Sequence, residues 1–140
     1  MGAERDLDRL LRAMDPVRRP GEFVFVSRRE PVPLPAVATV VEDEGISYVL
    51  ARADADERGF AYDFVAAWIT LTVHSALEAV GLTAAVAGAL AEAGISCNVI
   101  AGAHHDHLLV PADRAEEALA VLGRVAGEGR RDVAGELPGA

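Results

Sequence analysis

The stretch AWITLTVHSALEAVGLTAAVAGALAEAGISCNVIAGAHHDHLLVPADRAEEALAVL, Ala67 to Leu122, decides the fold. Two-residue alternation from Trp68 to Ser75 sets Ile69, Leu71 and Val73 on one face of a strand and Trp68, Thr70, Thr72 and His74 on the other. From Leu82 the period lengthens. Leu82, Val86, Ala89, Leu90 and Ala93 fall in one helical stripe, and Gly94 is the residue type that stops such a helix. Two more strands follow, Ile95 to Ala101 and His105 to Val110, then a helix from Asp113 to Val125. Strand, helix, strand, strand, helix makes an α+β module, an antiparallel sheet with its helices on one face.

Upstream, Leu7, Leu10, Leu11 and Met14 recur at helical spacing until Pro16 and Arg18-Arg19-Pro20-Gly21 end the helix. Glu22 to Ser27 reads as a strand and Pro31 to Pro35 as a proline-rich linker. Ala36 to Val41 and Ile46 to Ala51 form a hairpin around Glu42-Asp43-Glu44-Gly45, and Asp54 to Arg58 a helical turn. YVLARAD (Tyr48 to Asp54) repeats the pattern of HLLVPAD (His107 to Asp113), an apolar strand ending in Ala-Asp at a helix start. The expectation is two related halves, residues 1–65 and 66–127, joined through Phe60 to Ser75, the first lacking an opening strand. Residues 128–140, rich in glycine and mixed charge, are expected to be a disordered tail.

Composition removes several function classes. The net charge of -9 argues against a nucleic-acid partner, which needs a basic stripe. Every positive charge is arginine, so Schiff-base chemistry and lysine-dependent phosphate loops are excluded. No apolar run approaches the roughly 20 residues of a spanning helix. The N-terminus lacks the pattern of a secretion signal, and the lone Cys97 cannot form an internal disulfide. A cytoplasmic protein without a membrane partner is expected.

The segment LEAVGLTAAVAGALAEAGISCNVIAG followed by HDHLLVPADRAEEALAVL resembles the ACT domain, a regulatory amino-acid-binding module, in the form of the C-terminal ACT repeats of aspartate kinases. WITLTVHSALEAVGLTAAVA, AEAGISCNVIAG and HDHLLVP, with FVFV and EDEGISYVL, are similar to a bacterial family of small stand-alone proteins in which an ACT-like half precedes a second ACT domain. The resemblance covers most of residues 5–122. It implies ferredoxin-like βαββαβ-type modules, two in tandem; no cofactor is expected.

At Glu78-Ala79-Val80-Gly81-Leu82, Gly81 permits close backbone approach, and the unpaired N–H groups of the helix can receive a carboxylate. ACT domains dock effector amino acids at this loop. The resemblance implies backbone contacts from Val80, Gly81 and Leu82, with Asn98, on the neighbouring strand or on a partner's strand, recognising the ligand's polar end. The plainer alternative is a tight turn at Gly81 and an edge strand satisfied by Asn98. Regulatory ACT domains often carry an Asp-Pro-Gly-like turn where this chain has Glu78-Ala79-Val80, which leaves the effector's identity open. Ser75 and Glu78 have the spacing of a capping box.

His105 and His107 share a strand face with His74, and an antiparallel register brings His74 close to His105. The three imidazoles are candidates for a divalent-metal site; packing or hydrogen bonding at an interface is the stronger alternative, and Cys97 is expected on the helix side with Val99. Catalysis is not expected. Ser75 beside His74 points to the opposite face, and neither a nucleophile elbow nor a phosphate loop is present. The sequence reads as a non-catalytic regulatory module that binds a small effector, an amino acid, and forms a homodimer. A protein-interaction module without a ligand is the alternative, followed by a His-based metal sensor and an enzyme of unrecognised type acting through His74, His105 and Asp106.

Overall fold

The computed structural model describes residues 6–73 and 80–136. Helix α1 (Leu7–Ala13) precedes strands β1 (Pro16–Arg18), β2 (Phe23–Arg28), β3 (Ala36–Glu42) and β4 (Gly45–Ala51). Helix α2 (Arg52–Glu57), strand β5 (Val65–Leu71), helix α3 (Leu82–Glu92), strands β6 (Asn98–Ala101) and β7 (Asp106–Pro111), and helix α4 (Ala115–Glu136) complete the order. A single 3-10 turn, Ala112–Arg114, leads into α4. The last helix runs beyond Val125, where the apolar pattern ends.

The strands form one antiparallel sheet in the order β3-β4-β2-β5-β7-β6, with β1 also paired to β5. β5 joins the halves by serving in both. In the first half, β2, β3, β4, α2 and β5 give the ferredoxin-like order, but the Pro31 to Pro35 segment replaces the first crossover helix. That half therefore has its opening strand, β2, and lacks a helix instead; proline removes backbone donors and resists helical continuation. In the second half, β5, α3, β6, β7 and α4 lack a closing strand of their own. β1 takes that place, pairing Pro16 with Leu71, Val17 with Thr70 and Arg18 with Ile69.

All four helices cover one sheet face. Ala67, Ile69, Leu71 and Val73 meet Leu10 and Met14 of α1, Leu82, Val86 and Leu90 of α3, and Ala118, Val121 and Leu122 of α4 in one core. Val24, Val26, Tyr48, Leu50 and Ala55 continue it under α2, in line with Val65. Each fully buried leucine or valine here contributes about 1.5–3 kcal/mol against exposure. The α3 stop is built from backbone bonds: Gly94 takes φ +74 and Ile95 N donates to Leu90 O at 2.9 Å. These bonds occupy residues expected to be strand, so β6 is shorter than the apolar run Ile95 to Ala101. Arg114 donates to the carbonyls of Ala93 and Gly94, tying the start of the last helix to the end of α3.

The opposite face of the sheet carries Trp68. It is closed: Phe23, Val49, Ala66, Trp68 and Leu109 form a second core, joined by Val37 and Ala38 from β3 and Ile100 from β6. β3 and β6 are the two ends of the strand order, so the sheet curls until its ends share one cluster. Trp68 is only 4% exposed as a result.

Candidate functional site

The loop that follows β5 is described from Val80 onward; Ser75, Glu78 and His74 lie outside the described residues. Gly81 is the N-cap of α3 at φ +106, and no described side chain caps the helix. A left-handed N-cap favours glycine, and the first N–H groups of a helix have no partner within it. A Cβ on Gly81 would stand 3.1 Å from Leu7 Cδ2, so α1 rests directly on this turn. Val80 is 83% exposed, whereas Leu82 is buried in the main core and can offer only its backbone.

Asn98 does not join that loop within one chain. It is exposed at the start of β6, opposite Leu109, which is opposite Trp68. Val73, where the loop begins, lies five residues along β5 from Trp68, roughly 17 Å at strand spacing. Asn98 instead lines a cleft of about 420 Å³ with Phe25, Asp63 and Phe64.

His107 sits on the curled face, its ring 5.0 Å from that of Trp68 and its Nδ1 2.9 Å from Thr70 Oγ1. Thr70 Oγ1 also accepts from Trp68 Nε1 at 3.1 Å. Desolvation holds the imidazole below its ordinary pKa, and the neighbouring His105 and Arg19 add to this against Asp106. Arg19 lies over both Phe23 and Trp68, 5.6 Å from each ring centroid. His105 Nδ1 is 3.3 Å from the Val73 carbonyl, so the start of β7 meets the end of β5 as the antiparallel register requires. Among the described residues, no group of three His, Cys, Asp or Glu side chains is placed to hold a metal ion. Cys97 and Val99 pack on the helix side as the alternation indicated, and burial pushes the thiol pKa up, away from the reactive thiolate.

Sequence reading missed a network at the joint between the halves. Arg52 donates to Glu22 Oε1 at 3.0 Å and to Tyr62 Oη at 2.9 Å, and Tyr62 donates to Asp56 at 2.6 Å. Glu22 and Arg52, with Asp63, Phe64 and Asp113, line a cleft of about 440 Å³ at the start of β5. The only available signal was the repeated Ala-Asp at the two strand ends.

ACT-domain profiles match residues 2–67 and 64–124. The chain belongs to the ACT-domain family. The two ACT matches overlap at the beginning of β5, the strand that both halves use. The protein VC0802 from Vibrio cholerae, described as of unknown function and a possible transport protein, is similar at 44% identity with a TM-score of 0.78, over 86% of this chain and 95% of that one. The regulatory subunit of aspartate kinase from Thermus flavus shares the ACT fold at 11% identity and TM-score 0.58, over 79% of this chain and 95% of that one. Aspartokinase III of E. coli, solved with aspartate and ADP, does so at 13% identity and TM-score 0.53, over 80% of this chain and 32% of the enzyme. No curated protein matches the chain. No helix among the described residues is long and apolar enough to cross a membrane.

Proposed function

We propose that this ACT-domain protein is a non-catalytic, cytoplasmic sensor whose effector is an amino acid held at Val80, Gly81 and Leu82. The observation that carries the reading is Gly81 at φ +106, opening α3 with no described side chain on its first N–H groups. An amino-acid carboxylate suits such donors. The regulatory role of the aspartate kinase subunit with the same fold supports the assignment by analogy.

Asn98 enters this site through a homodimer. β6 is an edge strand of the sheet, and its outward backbone groups are suited to pairing. Antiparallel pairing of two β6 strands about a twofold axis aligns Asn98 of the partner subunit with Ala101, which is opposite Asp106 and hence level with Leu71 at the loop end of β5. A binding site shared between copies couples ligand to assembly.

A thermal-shift screen against the twenty amino acids tests the reading, because a ligand of the native state raises its melting point by mass action. A hit that is lost in both Gly81→Val and Asn98→Ala, with a dimer by sedimentation, is expected. Silence across all twenty removes the sensor assignment. The second reading, docking of a partner protein, has Val40 and Val41 in its favour, 56% and 81% exposed on the other edge strand.

A further inference from the structure

The cleft at the start of β5 gathers charge from both halves of the chain. One row of the sheet runs Ala51, Phe23, Ala66, Pro111 across four strands, so the last residue of β4 and the last of β7 are level with each other. The chain leaves both strands there, into Arg52 at the start of α2 and into Ala112 and Asp113 of the 3-10 turn. The two copies of the repeated strand-end pattern, YVLARAD and HLLVPAD, thus bring Arg52 from the first half and Asp113 from the second to one cleft. Val65, which packs with the core under α2, also lines it. A volume of about 440 Å³ with a few convergent polar groups is the form of a small-molecule pocket.

Arg52 is fixed in place here. Its Nε donates to Tyr62 Oη at 2.9 Å and its Nη1 to Glu22 Oε1 at 3.0 Å, and the guanidinium carbon lies 5.6 Å from the Tyr62 ring centroid. Those bonds leave Nη2 with both of its hydrogens among the described residues. A guanidinium that is held on one side and has donors remaining on another suits a carboxylate, because little freedom is lost when the second set of bonds forms. Glu22 answers the charge of Arg52, so Asp63 and Asp113 set the sign of the rest of the lining, and that sign is negative. One void thus presents donors for a carboxylate beside two acceptors for cations, and the ligand that matches it carries both signs with positive charge in excess.

We infer that this cleft is a second ligand site and that its ligand class is a basic amino acid, the α-carboxylate on Arg52 Nη2 and the cationic groups on Asp63 and Asp113. The site is separate from the effector turn. It lies at Val65, where β5 starts, whereas Gly81 comes after the end of that strand at Leu71, about 20 Å farther on at strand spacing. An occupant that bonds Arg52 and Asp113 together ties the first half to the second across the strand they share.

Isothermal titration of the full chain with L-arginine, L-citrulline and agmatine tests this. Citrulline keeps the shape of arginine without the side-chain charge, and agmatine keeps that charge without the carboxylate. The wild type is expected to bind arginine about tenfold or more tightly than either analogue. Arg52→Gln should lower arginine to the level of agmatine while leaving agmatine within about twofold of its wild-type affinity. Asp63→Asn combined with Asp113→Asn should lower arginine to the level of citrulline, with matching melting curves as the control for folding. Gly81→Val distinguishes this site from the effector turn, and arginine binding is expected to survive it. Silence with arginine, equal affinities for the three compounds, or a preference unchanged in Arg52→Gln overturns the inference and leaves the sensor assignment to its own screen. Arginine binding that is lost in Gly81→Val and kept in Arg52→Gln also overturns it, and gives that ligand to the effector turn.

Discussion

Thr70 and His107 face each other across the β5–β7 ladder, and the threonine hydroxyl lies 2.9 Å from the imidazole Nδ1 while accepting from Trp68 Nε1. One oxygen thus satisfies an indole donor and holds a histidine ring against that same indole. The hydroxyl can donate to a neutral Nδ1, so the ring proton then resides on Nε2.

Replacing Thr70 by Val keeps the shape and strands the indole N–H. The expected cost is about 1–3 kcal/mol in urea unfolding, the penalty of a buried donor left without its partner. In a Trp68→Phe background the same change should cost far less, since no donor remains to be orphaned. Equal costs in the two backgrounds would show that the hydrogen bond contributes nothing to the fold.

The depressed pKa of His107 makes a pH prediction with a definite sign. The unfolded chain takes up this proton near the ordinary histidine pKa of about 6.5, before the folded chain does. Stability is therefore undiminished above that pH and falls as the pH drops from there to the lower folded value. His107→Gln should flatten the loss between pH 7.5 and pH 5 measured by denaturant midpoints. An unchanged slope in the variant would place the acid sensitivity elsewhere.

Gly45 follows the β3–β4 turn at φ +145, and a Cβ there would stand 2.3 Å from the carbonyl oxygen of Arg28. Gly45→Ala must therefore push apart the β2–β4 pair at its open end. A loss of about 1–3 kcal/mol is expected from the backbone conformation, and the clash adds to it. Gly59→Ala is the control: φ is +70 but nothing lies within 4 Å, so its cost should be smaller. Thermal melts of the two variants side by side test the order.

Arg52 bonds Glu22 and Tyr62 on the surface, and exposed pairs of this kind contribute little. Arg52→Ala is expected to leave global stability nearly unchanged. Its effect should appear instead as faster hydrogen exchange at the Arg52 amide, which donates to Glu22 O at 2.8 Å. A large drop in global stability would mean that the joint between the halves depends on this one side chain.

Much of the fold was readable because it follows from local rules. The alternation of Trp68 to Val73 assigned both faces of β5 correctly, and the stripe Leu82, Val86 and Leu90 marked the buried side of α3. Those rules missed the short extent of β6. Whether Ile95 extends a strand or closes a helix depends on the bond from Ile95 N to Leu90 O, and apolar character suits both. The first half was misread in one respect, because a proline-rich stretch in place of a crossover helix leaves no periodic trace of what it replaces.

The sequence by itself determined most of the elements, the helix-covered face and the ACT family, since hydrophobic period and turn residues act over a few neighbouring positions. Only the tertiary structure decided the rest. It made β5 common to both halves, brought β1 in as the closing strand of the second, and curled the sheet until Trp68 was buried by residues far along the chain. It also separated Asn98 from Gly81 and brought Arg52 and Asp113 to one cleft. These are relations between distant segments, chosen by the free energy of burying whole faces together, and no local pattern encodes them.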